Sequence, residues 1–357
     1  MIEEQRGLTK KFLSVHKIRR FFIILIAVLG IALLLIFIFG KNIGQIAVLP
    51  TCGDGSFYDS CSLDKPYYCS GGNLLENSST CGCPSSLIKS EDSCTSSYQS
   101  NPEFLELPYV LDGKNYTLNF TAYKGLSTYL STLPKSIVYY DGQQPLHSDF
   151  KLMRINEPNQ ELLMMPLIKE IENLAPQDKV TQARIAISVV QNIPWGNSPN
   201  EIGFGSQDVA DSRYPYQVLY DGNGLCSEKS ELLAEILKEI GYGIAIFYYP
   251  AENHETLGIK CPVENSLGGS GYCFVETSGP AIISDSQIEY SGGIKLTSSP
   301  QIILISNGIS LPSGLPEYND AKTLARLRDK ASLGPIDSYN FRQLENKYGL
   351  SKVYNIQ

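Results

Sequence analysis

Apolar residues recur three and four positions apart in five segments of the chain. This spacing puts them on one face of a helix, and it predicts helices near residues 161–175, 179–192, 226–240, 319–331 and 338–348. Asp178 is a side-chain cap for the second helix, and Gly241 ends the third. Pro166 is expected to kink the first helix or to delay its start, because proline has no backbone N–H to donate.

Shorter apolar or alternating runs predict β-strands at residues 109–111, 115–123, 244–249, 254–259, 272–276 and 301–306. Residues 196–223 are expected to form a long polar loop. Helices packed against an antiparallel sheet give the α+β fold class, with the main domain at 156–306. A β-rich segment at 103–155 is expected before this domain, and a helical extension at 307–357 after it.

The start of the chain has the pattern of a membrane anchor. Residues 21–39 are an apolar run without a charged side chain, long enough as a helix to cross the hydrocarbon of a bilayer. Six basic and two acidic residues precede this run, which predicts a cytoplasmic tail at 1–20 and places the remainder outside the cell. A cleaved signal peptide is the alternative, but its apolar core is shorter and ends at a small-residue cleavage site. We therefore expect a single-pass protein of the cell membrane.

The distribution of charge argues against one class of partner. The whole chain carries a net charge of −8 and residues 1–41 carry +5, so residues 42–357 carry −13. Nucleic acids are bound through basic surfaces, and an acidic exterior part offers none. The expected partners are the membrane, through the N-terminal helix, and a protein or peptide substrate; no nucleic acid is expected.

The nine cysteines of the chain fall into three groups. Six lie within residues 51–98, where aliphatic residues are few; they are Cys52, Cys61, Cys69, Cys81, Cys83 and Cys94. In an oxidising exterior they predict a small module closed by three disulfides, whose pairing the sequence leaves open. A zinc site is the alternative, although the segment lacks histidine and a Cys-x-x-Cys pair. Cys261 and Cys273 are a further candidate pair, which leaves Cys226 as the odd thiol.

Three residues in the second half of the chain stand in an order that names a reaction type. Cys226 follows the glycine-rich run Gly222-Asn223-Gly224 and starts a predicted helix, where free N–H groups and the helix dipole favour a thiolate. His254 can take and return a proton, and Glu276 can fix its tautomer. A lone cysteine or histidine is most often structural. The ordered set instead predicts thiol-dependent acyl transfer, with Cys226 as the nucleophile.

From about residue 157 to 279 the chain resembles the transglutaminase-like superfamily of papain-type cysteine enzymes, in particular its uncharacterised membrane-anchored archaeal members. The resemblance rests on Ala183-Arg184-Ile185-Ala186, Val190 to Trp195, Tyr214-Pro215, Leu219, Gly222 to Cys226, Lys229-Ser230, Leu232-Leu233-Ala234, Gly241-Tyr242, His254 and Val275-Glu276-Thr277. It implies that Cys226 is the nucleophile, His254 the base and Glu276 the orienting acid. The chain departs from the family's common pattern at Leu225 and at Glu276, where aspartate is more usual, and this leaves substrate preference open.

The predicted function is thiol-dependent acyl transfer on amide bonds by a membrane-anchored enzyme outside the cell. Peptide hydrolysis is the reaction that we expect first. Protein-glutamine transamidation stays open, because the same triad serves water or an amine as the acceptor. A non-catalytic surface binding or structural module is the other class, including one in which Cys226 makes an intermolecular disulfide. Trp195 and Tyr220 are candidates for the oxyanion site or the cleft wall. No metal or organic cofactor is expected.

Asn77, Asn115 and Asn119 each begin an Asn-x-Ser/Thr triplet and are candidate glycosylation sites. The last two are separated by an even number of positions in a predicted strand, so they are expected on the same face.

Overall fold

The computed structural model describes residues 25–31, 50–140, 142–198, 201–204, 207–210 and 212–356. The chain divides into two compact units, residues 1–50 and residues 51–357. In the first unit residues 25–31 are helical and exposed. The remainder of the expected span 21–39, and the expected cytoplasmic tail 1–20, lie outside the described residues. Among the residues that are described, no helix is both long enough and apolar enough to cross a membrane.

The second unit combines helices with antiparallel strands. Its helices are α1 (Ser78–Cys81), α2 (Lys124–Thr132), α3 (His147–Ile155), α4 (Pro158–Leu174), α5 (Lys179–Asn192), α6 (Pro215–Asp221), α7 (Cys226–Ile240), α8 (Pro316–Arg328) and α9 (Pro335–Tyr348). Its strands are β1 (Ser60–Cys61), β2 (Tyr67–Ser70), β3 (Asn73–Glu76), β4 (Ile88–Ser90), β5 (Ser93–Thr95), β6 (Pro102–Leu111), β7 (Lys114–Tyr123), β8 (Glu201–Phe204), β9 (Gln207–Ala210), β10 (Ile244–Tyr249), β11 (His254–Lys260), β12 (Tyr272–Val275), β13 (Glu289–Tyr290), β14 (Ile294–Lys295) and β15 (Gln301–Ser306).

A four-stranded antiparallel sheet with the order β12-β11-β10-β15 is the frame of the candidate site. Tyr249 pairs with His254 at one end of the β10–β11 ladder, and Leu257 pairs with Val275 between β11 and β12. Helix α7 packs on this sheet through a fully buried apolar stripe, formed by Leu233, Ile236, Leu237 and Ile240. The α+β class expected from the sequence is confirmed by this arrangement of helices and antiparallel sheets.

Two helix boundaries agree with the sequence signals and one does not. Asp178 caps α5 by accepting a hydrogen bond of 3.0 Å from Thr181 N, and α7 ends at Gly241, whose φ is +106°. Helix α4 starts well before Pro166 and continues through it. Its start is set by Pro158 at the first helical position, where the missing N–H has no cost. Buried side chains on both sides of Pro166 hold the helix together there; they include Leu163, Met164, Leu167 and Ile168.

Two regions contain structure that the sequence patterns did not show. The segment 103–155, expected to be β-rich, forms a hairpin of two ten-residue strands, β6 and β7, and then turns helical in α2 and α3. Only Leu126 and Leu130 of α2 are buried, and two residues are too few to show a helical period. The region 196–223, expected to be a loop, contains the β8–β9 pair and α6. Helix α6 is fixed by a tertiary contact, a hydrogen bond of 2.7 Å from Tyr123 N to Tyr216 Oη.

All eight candidate cysteines form disulfides. The pairs are Cys52–Cys69, Cys61–Cys81, Cys83–Cys94 and Cys261–Cys273. Every thiol of the module 51–98 is therefore used, and none is left to bind zinc. The module packs against α4, where Lys169 Nζ lies 2.6 Å from Asp64 and Asn173 accepts a 2.8 Å hydrogen bond from Leu74 N. Cys226 is the free cysteine, and it is buried.

Candidate active site

Cys226 lies at the first position of α7, on a turn whose geometry depends on glycine. Gly222 ends α6 in the left-handed conformation, with φ of +65°. A Cβ on Gly224 would lie 2.8 Å from Val218 Cγ1 and 3.0 Å from Lys229 Cγ, so only glycine lets the chain pass this close. The turn therefore delivers Cys226 to the helix N-terminus, where the first backbone N–H groups have no partner within the helix.

The side chain of buried Arg213 holds this turn in place through hydrogen bonds. Arg213 Nη2 donates to Glu228 Oε2 at 2.7 Å and to Gly196 O at 2.9 Å, while its Nη1 donates to Asn223 Oδ1 at 3.0 Å. Glu228 in turn accepts a 3.0 Å hydrogen bond from Leu225 N, at the N-cap of α7. The network joins the helix start to the turn before it, so the position of Cys226 is set by buried ionic contacts.

His254 is held in one orientation by Glu276. The imidazole begins β11 and has no exposed surface, and its Nε2 lies 3.0 Å from Glu276 Oε2. The other ring nitrogen, Nδ1, is buried and has no oxygen or nitrogen partner among the described residues, and Cys226 makes the ring's further side-chain hydrogen bond. Since Nε2 is occupied by Glu276, Nδ1 is the nitrogen that remains for the proton of Cys226.

The Glu276 carboxylate follows β12 and receives four donors. Its Oε1 accepts from Thr277 N at 2.9 Å and from Ser278 N at 2.7 Å. Its Oε2 accepts from Tyr290 Oη at 2.5 Å and contacts His254. Burial alone would raise the pKa of Glu276, but His254 and these donors lower it from 4.5 to about 2. The residue is therefore a carboxylate at neutral pH.

The negative charge of Glu276 raises the pKa of the His254 imidazole. Burial alone would lower the pKa of His254, yet Glu276 and, to a smaller extent, Cys226 outweigh it and raise the pKa from 6.5 to about 10. The favoured state at neutral pH is an imidazolium between a carboxylate and the sulfur. A histidine in that state can deliver a proton to a leaving group and stabilise a thiolate.

Lys229 is a second buried basic group near the cysteine. It lies one helical turn after Cys226 and has no exposed surface, and its Nζ donates to Ile193 O at 2.5 Å and to Gln191 O at 3.3 Å. Burial lowers its pKa from 10.5 to about 7, although Glu276 and Cys226 act in the opposite direction. Lys229 thus ties α7 to the end of α5.

The two candidate residues for the oxyanion site or the cleft wall lie in different surroundings. The backbone at Trp195 pairs with Gly224, two positions before Cys226, and the Trp195 residue is 37% exposed. It is therefore beside the turn that carries Cys226. Tyr220 donates its hydroxyl hydrogen to the carboxylate of Glu103 in β6. That contact occupies the hydroxyl away from Cys226, His254 and Glu276.

The glycosylation candidates differ in exposure. Asn115 and Asn119 are both exposed on β7. Asn77 is half-buried and caps α1 by accepting a 2.9 Å hydrogen bond from Thr80 N. Their use stays a prediction.

Sequence reasoning missed several residues of the site. Lys229 gave a readable signal, because its spacing of three from Cys226 puts it on the same helix face. Tyr290 and Arg213 gave none, since each meets its partner only through the fold. Gln191 was not predicted as a site residue either. In the structure its Nε2 donates to Glu276 O at 2.9 Å.

The assembled site is closed. Cys226, His254 and Glu276 each have an exposed fraction of 0%. The arrangement can hold a polarised thiol, but a substrate reaches it only if covering residues move.

No family model, no curated protein and no solved structure matches the chain.

Proposed function

We propose that the protein is a cysteine enzyme of the transglutaminase-like type that transfers acyl groups from amide bonds, most simply by peptide hydrolysis. The observation that carries this proposal is the contact of His254 with both other members of the set: its Nε2 is bonded to the Glu276 carboxylate, and the ring also makes a side-chain hydrogen bond with Cys226. A buried imidazole between a carboxylate and a free thiol has the arrangement that thiol acyl transfer requires. The free thiol at a helix start supplies the nucleophile.

In the proposed reaction Cys226 Sγ, having passed its proton to His254 Nδ1, attacks the carbonyl carbon of the amide. The new C–S bond forms as the C=O π electrons move to oxygen, where backbone N–H groups at the start of α7 can stabilise the negative charge. The C–N bond then breaks, and the leaving amine takes the proton from His254. Water next gives a proton to Nδ1 and attacks the thioester, which releases the acid and returns the proton to the thiol. Glu276 holds the imidazole tautomer throughout.

We further propose that this reaction takes place outside the cell, with residues 21–39 as the anchor. The four disulfides support an oxidising compartment for residues 51–357. Extraction of membranes with alkaline carbonate tests the anchor: an integral protein stays in the pellet, and release into the supernatant contradicts it.

One observation favours a second candidate, a non-catalytic binding or structural module. The complete burial of Cys226, His254 and Glu276 is the state expected of groups that only stabilise the fold. The same burial argues against an intermolecular disulfide through Cys226, because a covered thiol cannot reach another chain.

The rate of Cys226 alkylation by iodoacetamide, followed against pH on the full-length protein, separates these two candidates. Cys226 is the chain's one cysteine outside a disulfide, so the modified site is unambiguous. For an activated pair we expect labelling to persist well below pH ~8.5, the range of an ordinary thiol, and to collapse in His254→Ala. His147→Ala is the matched control, because that imidazole is partly exposed and lies on α3.

A thiol that reacts only after denaturation, or that titrates as an ordinary thiol in all three proteins, overturns the proposal of a cysteine enzyme. The non-catalytic module is then the remaining candidate. If the activated pair is found, a fluorogenic peptide library with and without a primary amine separates the two forms of the reaction. Products that incorporate the amine indicate transamidation, and products that do not indicate hydrolysis.

A further inference from the structure

One tyrosine contacts both members of the His254–Glu276 pair. Tyr290 ends β13 and is buried, and its hydroxyl donates at 2.5 Å to Glu276 Oε2, the oxygen that also contacts His254. Its ring centroid lies 4.7 Å from the His254 ring centroid, with a tilt of 59° between the planes. Burial and the neighbouring Glu276 raise the pKa of Tyr290. The hydroxyl therefore keeps its proton and remains a donor.

The hairpin that carries Tyr290 is too small to hold the ring in place. Strands β13 and β14 have two residues each, and isolated two-stranded hairpins are marginal in water. Support comes from a buried apolar cluster and from residues 351–356. The cluster packs Tyr290 with Tyr354 and with residues of other elements, namely Phe247, Tyr249, Phe274, Ala281 and Ile288. Residues 351–356 add polar contacts. Ser291 N donates to Tyr354 O at 2.8 Å, and the rings of Tyr290 and Tyr354 meet edge to face with centroids 6.5 Å apart.

The same residues are also tied to the backbone that follows Glu276. The Tyr354 hydroxyl donates to Pro280 O at 2.6 Å, and Ser351 N donates to the same oxygen at 3.0 Å. A Cβ on Gly279 would lie 2.9 Å from Ser351 Cβ, so the close approach requires glycine at that position. Residues 351–356 therefore connect the loop of the acid with the hairpin of the tyrosine.

We propose that residues 351–356 form a strap that holds Tyr290 against the His254–Glu276 pair, which makes Tyr290 a positioning residue of the site. Its catalytic meaning rests on the proposed function. The strap and the tyrosine ring keep water away from the carboxylate and the imidazolium, and their attraction is strong because the local dielectric constant is low. A loosened strap admits water, and the proton on His254 is then held less strongly.

The groups that face His254 are few, which makes the effect measurable. Among the described residues, Glu276 and Cys226 act on it directly, Tyr290 contacts its ring, and Lys229 acts on both Glu276 and Cys226. Three further groups interact with Glu276 and not with the imidazole itself: Tyr249, Asp285 and Tyr354. Burial raises the pKa of Tyr354, so substitutions of this residue remove an uncharged group, and Val353→Ala changes none of the groups. A change in His254 titration would therefore report the surroundings of the pair.

The test uses the full-length protein with the substitution Tyr354→Ala, which removes the ring and its hydrogen bond to Pro280. Tyr354→Phe keeps the ring and removes only that bond. Val353→Ala is the matched control, because Val353 is the preceding residue and is 59% exposed. His254 titration is followed by NMR, which is practical with three histidines in the chain, and Cys226 alkylation is followed against pH.

We expect the His254 midpoint to fall by about one pH unit or more in Tyr354→Ala, less in Tyr354→Phe and not at all in Val353→Ala. An unchanged midpoint in folded Tyr354→Ala overturns the strap even if the wild-type alkylation supports the enzyme. An ordinary thiol in the wild type, with a lowered midpoint in Tyr354→Ala, overturns the enzyme and keeps the strap. If Tyr354→Ala does not fold, Tyr354→Phe decides by the same measurements.

Discussion

Glu276→Gln is the substitution that most directly tests the electrostatics of the site. The change keeps the size of the side chain and an acceptor oxygen, and it removes the negative charge 3.0 Å from His254 Nε2. The variant therefore isolates the attraction between the carboxylate and the imidazolium. Backbone donors from Thr277 and Ser278 remain to position the new amide.

The size of the effect follows from the titration of the pair. The pKa of His254 is raised from 6.5 to about 10 although burial acts in the opposite direction, and at about 1.36 kcal/mol per pH unit this net shift corresponds to roughly 5 kcal/mol. Glu276 is the largest contributor to the rise, and Cys226 supplies the rest. Breaking a buried ion pair by removing one partner costs about 3–5 kcal/mol. We expect Glu276→Gln to lower the free energy of unfolding by about 3 kcal/mol.

The loss of stability in Glu276→Gln depends on pH. The raised pKa of His254 adds stability that is fully present below pH 6.5 and is lost as pH rises through about 10. The lowered pKa of Glu276 adds stability that is present above pH 4.5 and is lost as pH falls through about 2. The difference between wild type and Glu276→Gln should therefore be largest between pH 4.5 and 6.5, and small near pH 10.

Urea unfolding of both proteins at about pH 6 and about pH 10 checks this expectation. Glu289→Gln is the matched control, because its carboxylate is 61% exposed and lies 3.7 Å from Lys295 at the surface. A surface pair of this kind contributes only about 0–1 kcal/mol. The reasoning is refuted if Glu276→Gln costs no more than the control at pH ~6, or if its cost is the same at both pH values.

Two further substitutions test buried titratable side chains on α7. Lys229→Met keeps the aliphatic stem and leaves Ile193 O and Gln191 O without their donor, so we expect a loss of about 1–3 kcal/mol. Because burial lowers the Lys229 pKa to about 7, urea unfolding should show the wild type gaining stability over this variant as pH rises from about 7 to about 10; a difference that stays constant with pH contradicts the lowered pKa. Both Glu235 oxygens are buried without a partner among the described residues, and burial raises its pKa well above 4.5. The contribution of Glu235 to wild-type stability should thus fall as pH rises above 4.5, and Glu235→Gln should be stabilising by about 1 kcal/mol or more at pH ~8 and by less at pH ~5, whereas equal effects at both pH values contradict this.

Secondary structure was readable from the sequence where a signal repeats within one element. Helix α5 was predicted with the bounds 179–192 because its cap and its apolar period lie within the same stretch of chain. Helix α7 and strand β10 were found for the same reason. Helix α2 was missed, because its burial is supplied by residues far along the chain.

The candidate site was readable only in part. With nine cysteines, of which eight fall into candidate disulfide groups, Cys226 was left as the odd thiol. Local context suggested the roles of His254 and Glu276. Tyr290 lies 14 residues beyond Glu276 and carries no local pattern that marks it. Its partnership with Glu276 exists only because β12 and β13 bring the two side chains together.

The sequence by itself determined which chemical groups are present, the class of the fold and which cysteine is the odd one out. These follow from composition, spacing and counting, which need no knowledge of distant contacts. Only the tertiary structure decided that Nε2 of His254 contacts Glu276, that Lys229 ties the helix to α5, and that the three site residues are fully buried. The physical reason is that hydrogen bonds and burial depend on distances between side chains, and those distances are set by the packing of elements remote in the chain.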